Sequence, residues 1–107
     1  MTQVYVSAVS VAYTTVAPAR WEPLARLVLE AAYEATLHVA AQSAGTAGRR
    51  QRVLLTAVGG GVFGNRVEWI ADAINKALAR FARWPLDVVV VEYKPGSTGL
   101  RPLVRAP

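Results

Sequence analysis

The stretch Arg52–Asn65, reading Arg-Val-Leu-Leu-Thr-Ala-Val-Gly-Gly-Gly-Val-Phe-Gly-Asn, limits what this chain can fold into more than any other. Val53–Val58 is short and almost wholly apolar, the pattern of a strand buried on both faces. Gly59, Gly60 and Gly61 follow, then Val62, Phe63 and Gly64, and Asn65 opens an amphipathic helical pattern. Strand, glycine loop and helix together bring backbone N–H groups and a helix N-terminus onto one anion. Glycine reaches positive φ and, lacking a Cβ, lets a phosphate approach the main chain closely. The same residues also suit a tight turn that binds nothing, because a lone Gly-rich turn is a weak motif.

The flanking segments supply the rest of an α/β pattern. Val4–Val11 alternates in part and predicts a first strand, with a loop containing Tyr13 after it. Pro18 suits the first turn of a helix, where a missing N–H costs nothing. Trp21, Leu24, Ala25, Val28, Ala31, Ala32, Ala35 and Val39 then recur at helical spacing, predicting a helix to about Gln42. Arg26, Glu30, Glu34 and His38 fall at steps of four and read as a solvated stripe. Ser43–Gly48 reads as a linker of small residues.

Beyond the glycine loop, Asn65 and Glu68 have the spacing of an N-cap and its capping-box partner. Val67, Ile70, Ala71, Ile74, Ala77, Leu78 and Phe81 make an apolar stripe, and Asp72 and Lys76 pair outside it. Trp84-Pro85 ends that helix. Leu86–Tyr93 holds four successive valines and reads as another doubly buried strand. Pro, Gly, Ser and Arg take over from Lys94, so residues 95–107 read as a flexible basic tail. The order is βαβαβ, a parallel sheet with helices packed against it over residues 1–94. In such sheets ligands bind beyond the carboxyl ends of the strands. The Gly59–Gly64 loop, the Tyr13 loop and the Tyr93-Lys94 turn all fall on that edge.

Composition narrows the chemistry. Of 107 residues, 53% are hydrophobic and none is cysteine, which excludes disulfides and thiolate metal sites. The net charge of +5 rests mainly on ten arginines, which favours anionic partners. Arg49, Arg50 and Arg52 cluster, but no aromatic residues interleave with them, so nucleic acid is not the expected partner. No segment reaches the roughly 20 apolar residues needed to span a bilayer. The apolar run Val4–Val16 has no basic leader, so a cytoplasmic location without membrane partners is expected.

No catalytic, cofactor or metal constellation emerges. His38 is the single histidine and falls on the polar helix face. Glu30, Glu34, Glu68 and Asp72 have helix pairing or capping roles, and Glu92 has no acidic partner for acid–base work. A Walker loop would need Gly-Lys-Ser/Thr where the chain has Gly64-Asn65-Arg66. Gly59, Gly61 and Gly64 do match Gly-x-Gly-x-x-Gly, but they open a second βα unit, with bulky Val62 and Phe63 inside the turn.

Leu55–Asn65, followed by a helix and the strand Leu86–Tyr93, resembles the carboxy-terminal half of a macro domain, a fold family that binds ADP-ribose. Trp21–Ala25 and Ala31–Leu37 resemble the long helix that precedes the loop in a divergent macro-like branch. The resemblance spans residues 3–94. It implies a three-layer α/β half-domain whose Gly59, Gly60, Gly61, Val62, Phe63, Gly64 and Asn65 wrap a diphosphate and its ribose. The family's amino-terminal half, with its Asn-rich loop and adenine-holding acid, has no counterpart here. The resemblance therefore implies binding of an ADP-ribose-like nucleotide diphosphate without catalysis. The alternative is a self-associating remnant of such a domain. A half-domain with open sheet edges is also expected to pair, with a second copy or with a partner supplying the missing half. Trp21, Leu29, Leu37 and Trp84 are the expected contact residues.

Overall fold

Gln51–Leu55 (β1) and Leu86–Val90 (β2) lie side by side in parallel, with Gln51 opposite Leu86 and Leu55 opposite Val90. They belong to a computed structural model that describes residues 3–8, 18–58, 65–92 and 99–104. Parallel neighbours cannot be joined by a tight turn, so the chain must cross over, and the helix Val67–Arg80 (α2) lies on that crossover. A longer helix, Pro18–Ala47 (α1), precedes β1. The protein is thus a small α/β unit of two helices and two parallel strands. Residues 3–8 carry no strand, and the remainder of the expected Val4–Val11 strand lies outside the described residues.

Side chains along a strand alternate between faces, and here only one face is covered. Val53, Leu55 and Leu86 are buried in a cluster with both helices, and Val88 and Val90 pack against it. On the other face Leu54 is 59% exposed, Val89 40% and, just past β2, Val91 41%. The two valine- and leucine-rich runs are therefore half-buried strands, not the doubly buried ones their composition suggests. Apolar content alone does not reveal whether a second layer exists.

Both helices cover the same side. α2 buries Trp69, Ile70, Ala71, Ala73, Ile74, Ala77 and Leu78, with Phe81 just beyond its end. This is the expected stripe, broadened by Trp69 and Ala73. α1 buries Ala25, Leu29, Ala32, Tyr33, Leu37, Ala40, Ala41 and Ala44. That face is rotated from the expected one, since Leu24, Ala31 and Ala35 are exposed and Val28 and Val39 half-buried. Alanine and valine surround α1 on most sides, so periodicity alone does not pick out the buried stripe. Leu29 and Leu37 are fully buried inside the fold, which removes them as contacts with a second copy; Trp84 remains exposed.

α1 also runs to Ala47, past the expected end at Gln42. The helix continues through Ser43–Ala47 despite Gly45, and the stop comes at Gly48, whose φ of 66° lies in the left-handed region. Its N–H donates to the Ala44 carbonyl at 2.9 Å, closing the last turn.

The polar stripe of α1 is not simply solvated. Arg26 Nη1 donates to Asp72 at 2.8 Å, Lys76 Nζ to Glu30, and Arg80 Nη1 to Glu34 at 2.9 Å. Each pair is separated by 46 residues, so the helices advance in the same direction with matched steps of four. Arg26 also bonds Glu22 one turn back. One step further, His38 meets Phe81 edge-on at 4.9 Å. At the start of the sheet, Arg50 Nε and Nη2 donate to Asp87 Oδ1, and Nη2 also reaches the Leu86 carbonyl. That hydrogen bond and the guanidinium charge hold the Asp87 carboxyl below the usual carboxylate range.

The rotation of the α1 face is directly testable. Leu29 is fully buried and Leu27, two residues before it, is 61% exposed. Leu29→Ala should cost about 2–5 kcal/mol in urea unfolding. Leu27→Ala should stay within about 0.5 kcal/mol of wild type. Equal losses would place the buried face elsewhere.

Candidate functional site

Where β1 ends, the backbone must leave the sheet and turn toward α2. The last sheet bond on this side is the Val91 N–H to the Leu55 carbonyl, at 2.7 Å. Beyond it the Val58 N–H folds back onto the Thr56 carbonyl at 3.0 Å, a three-residue turn centred on Ala57. No non-glycine residue among those described has positive φ, so this is the relaxed inverse form of the γ-turn.

A side chain from α1 locks that turn. The Tyr33 hydroxyl donates to the Thr56 carbonyl at 2.5 Å and accepts the Val58 N–H at 3.0 Å. Tyr33 is buried, one helical turn from Leu29 and one from Leu37, so its ring is core and only its tip is polar. Burial pushes the phenol up to about 12, while the Val58 N–H pulls the other way. The sequence signal was present: a residue with a polar tip at the middle of the i, i+4, i+8 series Leu29, Tyr33, Leu37.

On the far side of the crossover the helix start differs from expectation. The N-cap of α2 is Arg66, in extended conformation, and its side chain makes no capping bond. Its carbonyl accepts the N–H groups of Trp69 and Ile70 at 3.0 and 3.2 Å. Asn65, the expected cap, lies one residue outside the helix and is buried. Glu68 is in the exposed first turn, two residues from the true cap and so out of capping-box register. An apolar stripe locates a helix but leaves its first residue open by one or two positions.

Between these two ends, Gly59, Gly60, Gly61, Val62, Phe63 and Gly64 lie outside the described residues, as do Tyr13 and the Tyr93-Lys94 turn. Of the expected ligand-binding set, Asn65 alone is described.

The carboxylates are occupied by structure. Glu22, Glu30, Glu34, Asp72 and Asp87 form ion pairs. Glu92 Oε1 accepts the Arg101 N–H at 3.3 Å, which helps dock the C-terminal stretch. There a short 3-10 turn, Arg101–Leu103, follows the fully buried Leu100, and Asn75 Nδ2 donates to the Leu103 carbonyl. Residues 99–104 are therefore tied to the core, unlike the free tail their composition suggests. Among the described residues no three His, Asp or Glu side chains converge as metal ligands. None of the described helices is long and apolar enough to cross a membrane. No known protein family, no curated protein and no solved structure matches the chain.

Removing the Tyr33 hydroxyl takes one of two donors from the Thr56 carbonyl and one acceptor from the Val58 N–H, two hydrogen bonds in all. Tyr33→Phe should cost about 1–3 kcal/mol in chemical denaturation. The raised phenol also gives a pH signature. Below the unfolded value near 10.0 both states hold the proton and the stabilisation is complete. Between about pH 10 and 12 the unfolded phenol ionises first, so stability falls as pH rises. The difference between wild type and Tyr33→Phe should shrink by about 2 kcal/mol across that window. A difference independent of pH would show the phenol to be unperturbed.

Proposed function

We propose that the chain binds ADP-ribose or a related nucleotide diphosphate at the β1–α2 crossover, without catalysis. Arg66 is the observation that carries this reading. It is an exposed cation at the N-cap of α2, directly after Gly59–Asn65, with no side-chain cap and no ion-pair partner among the described residues. A helix N-terminus carries the positive end of the macrodipole, so a cation there is opposed and an anion is favoured. A diphosphate held by the N–H groups of Gly60–Gly64 would answer both charges. The parallel arrangement of β1 and β2 supports this location, because ligands collect beyond the carboxyl ends of such strands. The finer architecture belongs to the same proposal. A three-layer, macro-like βαβαβ unit needs a further strand on one edge of the β1–β2 pair, from the N-terminal segment, a second copy or a partner carrying the other half-domain.

Titration calorimetry with ADP-ribose tests the reading. Gly61→Glu should abolish binding through bulk and like-charge repulsion. Wild-type affinity in that variant would exclude the loop. Arg66→Asp separates stability from binding. It supplies an N-cap and should stabilise the free protein by about 0.5–1 kcal/mol. The same change should weaken ADP-ribose binding, whereas a purely structural Arg66 would leave binding untouched.

The exposed sheet face favours a second reading, a self-associating protein without ligand. Leu54, Val89 and Val91 form an apolar strip on a two-stranded sheet whose edges have no further strand among the described residues. Light scattering at micromolar concentration distinguishes the cases. A mass near 11.5 kDa means a monomer, and one near twice that supports pairing.

A further inference from the structure

The sheet face turned away from the helices carries a charge pattern as well as apolar area. Alternation puts Arg52 and Leu54 of β1 and Asp87 and Val89 of β2 on that face, and exposed Val91 continues it past β2. The register sets them in rows across the two strands, Arg52 opposite Asp87 and Leu54 opposite Val89. A cation thus stands beside an anion at the amino end, with two apolar side chains in the next row. Arg52 is exposed and forms no ion pair among the described residues, although Asp87 is its register neighbour. Asp87 takes both Arg50 donors on Oδ1, which leaves Oδ2 open among the described residues. We infer that this face packs against the same face of a second copy, about a twofold axis running along the strands, so that Arg52 of each copy meets Asp87 of the other. The inference rests on the self-association reading above and gives it a surface and a geometry.

Symmetry decides the geometry. In a twofold interface, a residue i that meets j is repeated by j meeting i. Packed sheets keep their strands aligned to within about 30° or cross them near a right angle. With the axis along the strands, β1 of one copy lies over β2 of the other and the rows stay level. Arg52 then falls over Asp87 twice, and Leu54 over Val89 twice. With the axis across the strands, β1 lies over its own counterpart running the other way. The charged row would then land where exposed Thr56 and Val91 stand, and both ions would lose water without gaining a partner. A right-angled crossing breaks the rows apart. Burial of Leu54, Val89 and Val91 supplies the attraction in any of these packings. The charged row selects among them, because exposed ion pairs add little affinity while like charges set face to face are repelled.

Charge reversal tests the geometry. Wild type should sediment at equilibrium as a dimer, at about twice 11.5 kDa. Arg52→Asp opposes acids across both contacts, and Asp87→Arg opposes bases. Each should raise the dimer dissociation constant at least roughly tenfold. Mixed in equal amounts, the two variants are complementary at both contacts and should form a dimer of one copy of each, resolved by its mass in native mass spectrometry. The double variant Arg52→Asp/Asp87→Arg should pair with itself again. Circular dichroism checks that each variant is folded. If a reversal unfolds the chain, Arg52→Gln and Asp87→Asn carry the test: each should weaken pairing, and unchanged pairing in both overturns the inference. A monomeric wild type leaves the face to some other occupant and overturns the self-association reading and this inference together. A wild-type dimer that survives either reversal, or a mixture that yields no mixed dimer, overturns the inference alone and moves self-association to another surface.

Discussion

The apolar contact between two parallel helices over one face of a two-stranded sheet is the interaction on which everything else depends. Leu29, Tyr33 and Leu37 from α1 and Ile70 and Ile74 from α2 are the large side chains at its centre, all essentially removed from solvent. Each such side chain contributes about 1.5–3 kcal/mol on burial. The three cross-helix ion pairs lie over the same contact, yet each is exposed enough to be worth at most about 1 kcal/mol. Burial therefore supplies the stability. The ion pairs supply register: a slip by one turn would set Glu30 against Asp72 in one direction and Arg26 against Lys76 in the other.

That division of labour explains why the polar face of α1 is easy to misread. Arg26, Glu30, Glu34 and His38 have the spacing of a solvent stripe, and from one helix alone nothing distinguishes a stripe facing water from one facing a neighbour. The difference lies in α2, where Asp72, Lys76 and Arg80 repeat the same step. Two helices whose charges match in order over three consecutive turns carry pairing information that neither carries alone. That match fixes the two helices in parallel. The buried face of α1 was not legible in the sequence, because alanine on nearly every side leaves the choice to tertiary packing. α2 was read well for the opposite reason, since its apolar stripe is flanked by charged residues. β1 and β2 were legible from their valine and leucine content, whereas the valines of residues 3–8 form no strand; the number of layers was not legible, because a strand's composition does not say what lies across from it. The candidate site was legible only in its outline: glycines between a strand and a helix, with neither the Tyr33 lock nor the shift of the helix cap to Arg66.

Tyr33 shows how a core residue takes on a second role at little cost. A leucine in its place would continue the apolar series Leu29, Leu37. The phenol adds a polar tip where the chain leaves β1, at a point where backbone groups have run out of sheet partners. A buried polar atom is costly unless satisfied, and here both the donor and the acceptor function of the oxygen are used. The result joins the core of the fold to the entrance of the crossover, so whatever orders α1 also orders Thr56–Val58.

The distribution of charge then locates the surplus. Five of the seven carboxylates are in ion pairs, Glu92 receives a backbone N–H, and Glu68 lies in the first turn of α2, where the macrodipole favours it. The acids are engaged in holding the structure together, and the excess appears as exposed arginines: Arg20, Arg49, Arg52, Arg66, Arg83 and Arg101. Their positions are not equivalent. Arg49 and Arg83 follow the carboxyl ends of α1 and α2, where a cation complements the dipole and needs no further explanation. Arg20 and Arg66 are at helix starts, against the dipole. Of those two, only Arg66 adjoins a run of glycines at the carboxyl end of a parallel strand. Folding alone does not account for a cation there, whereas an anionic ligand would, which supports the proposed site at the β1–α2 crossover over the more numerous arginines elsewhere.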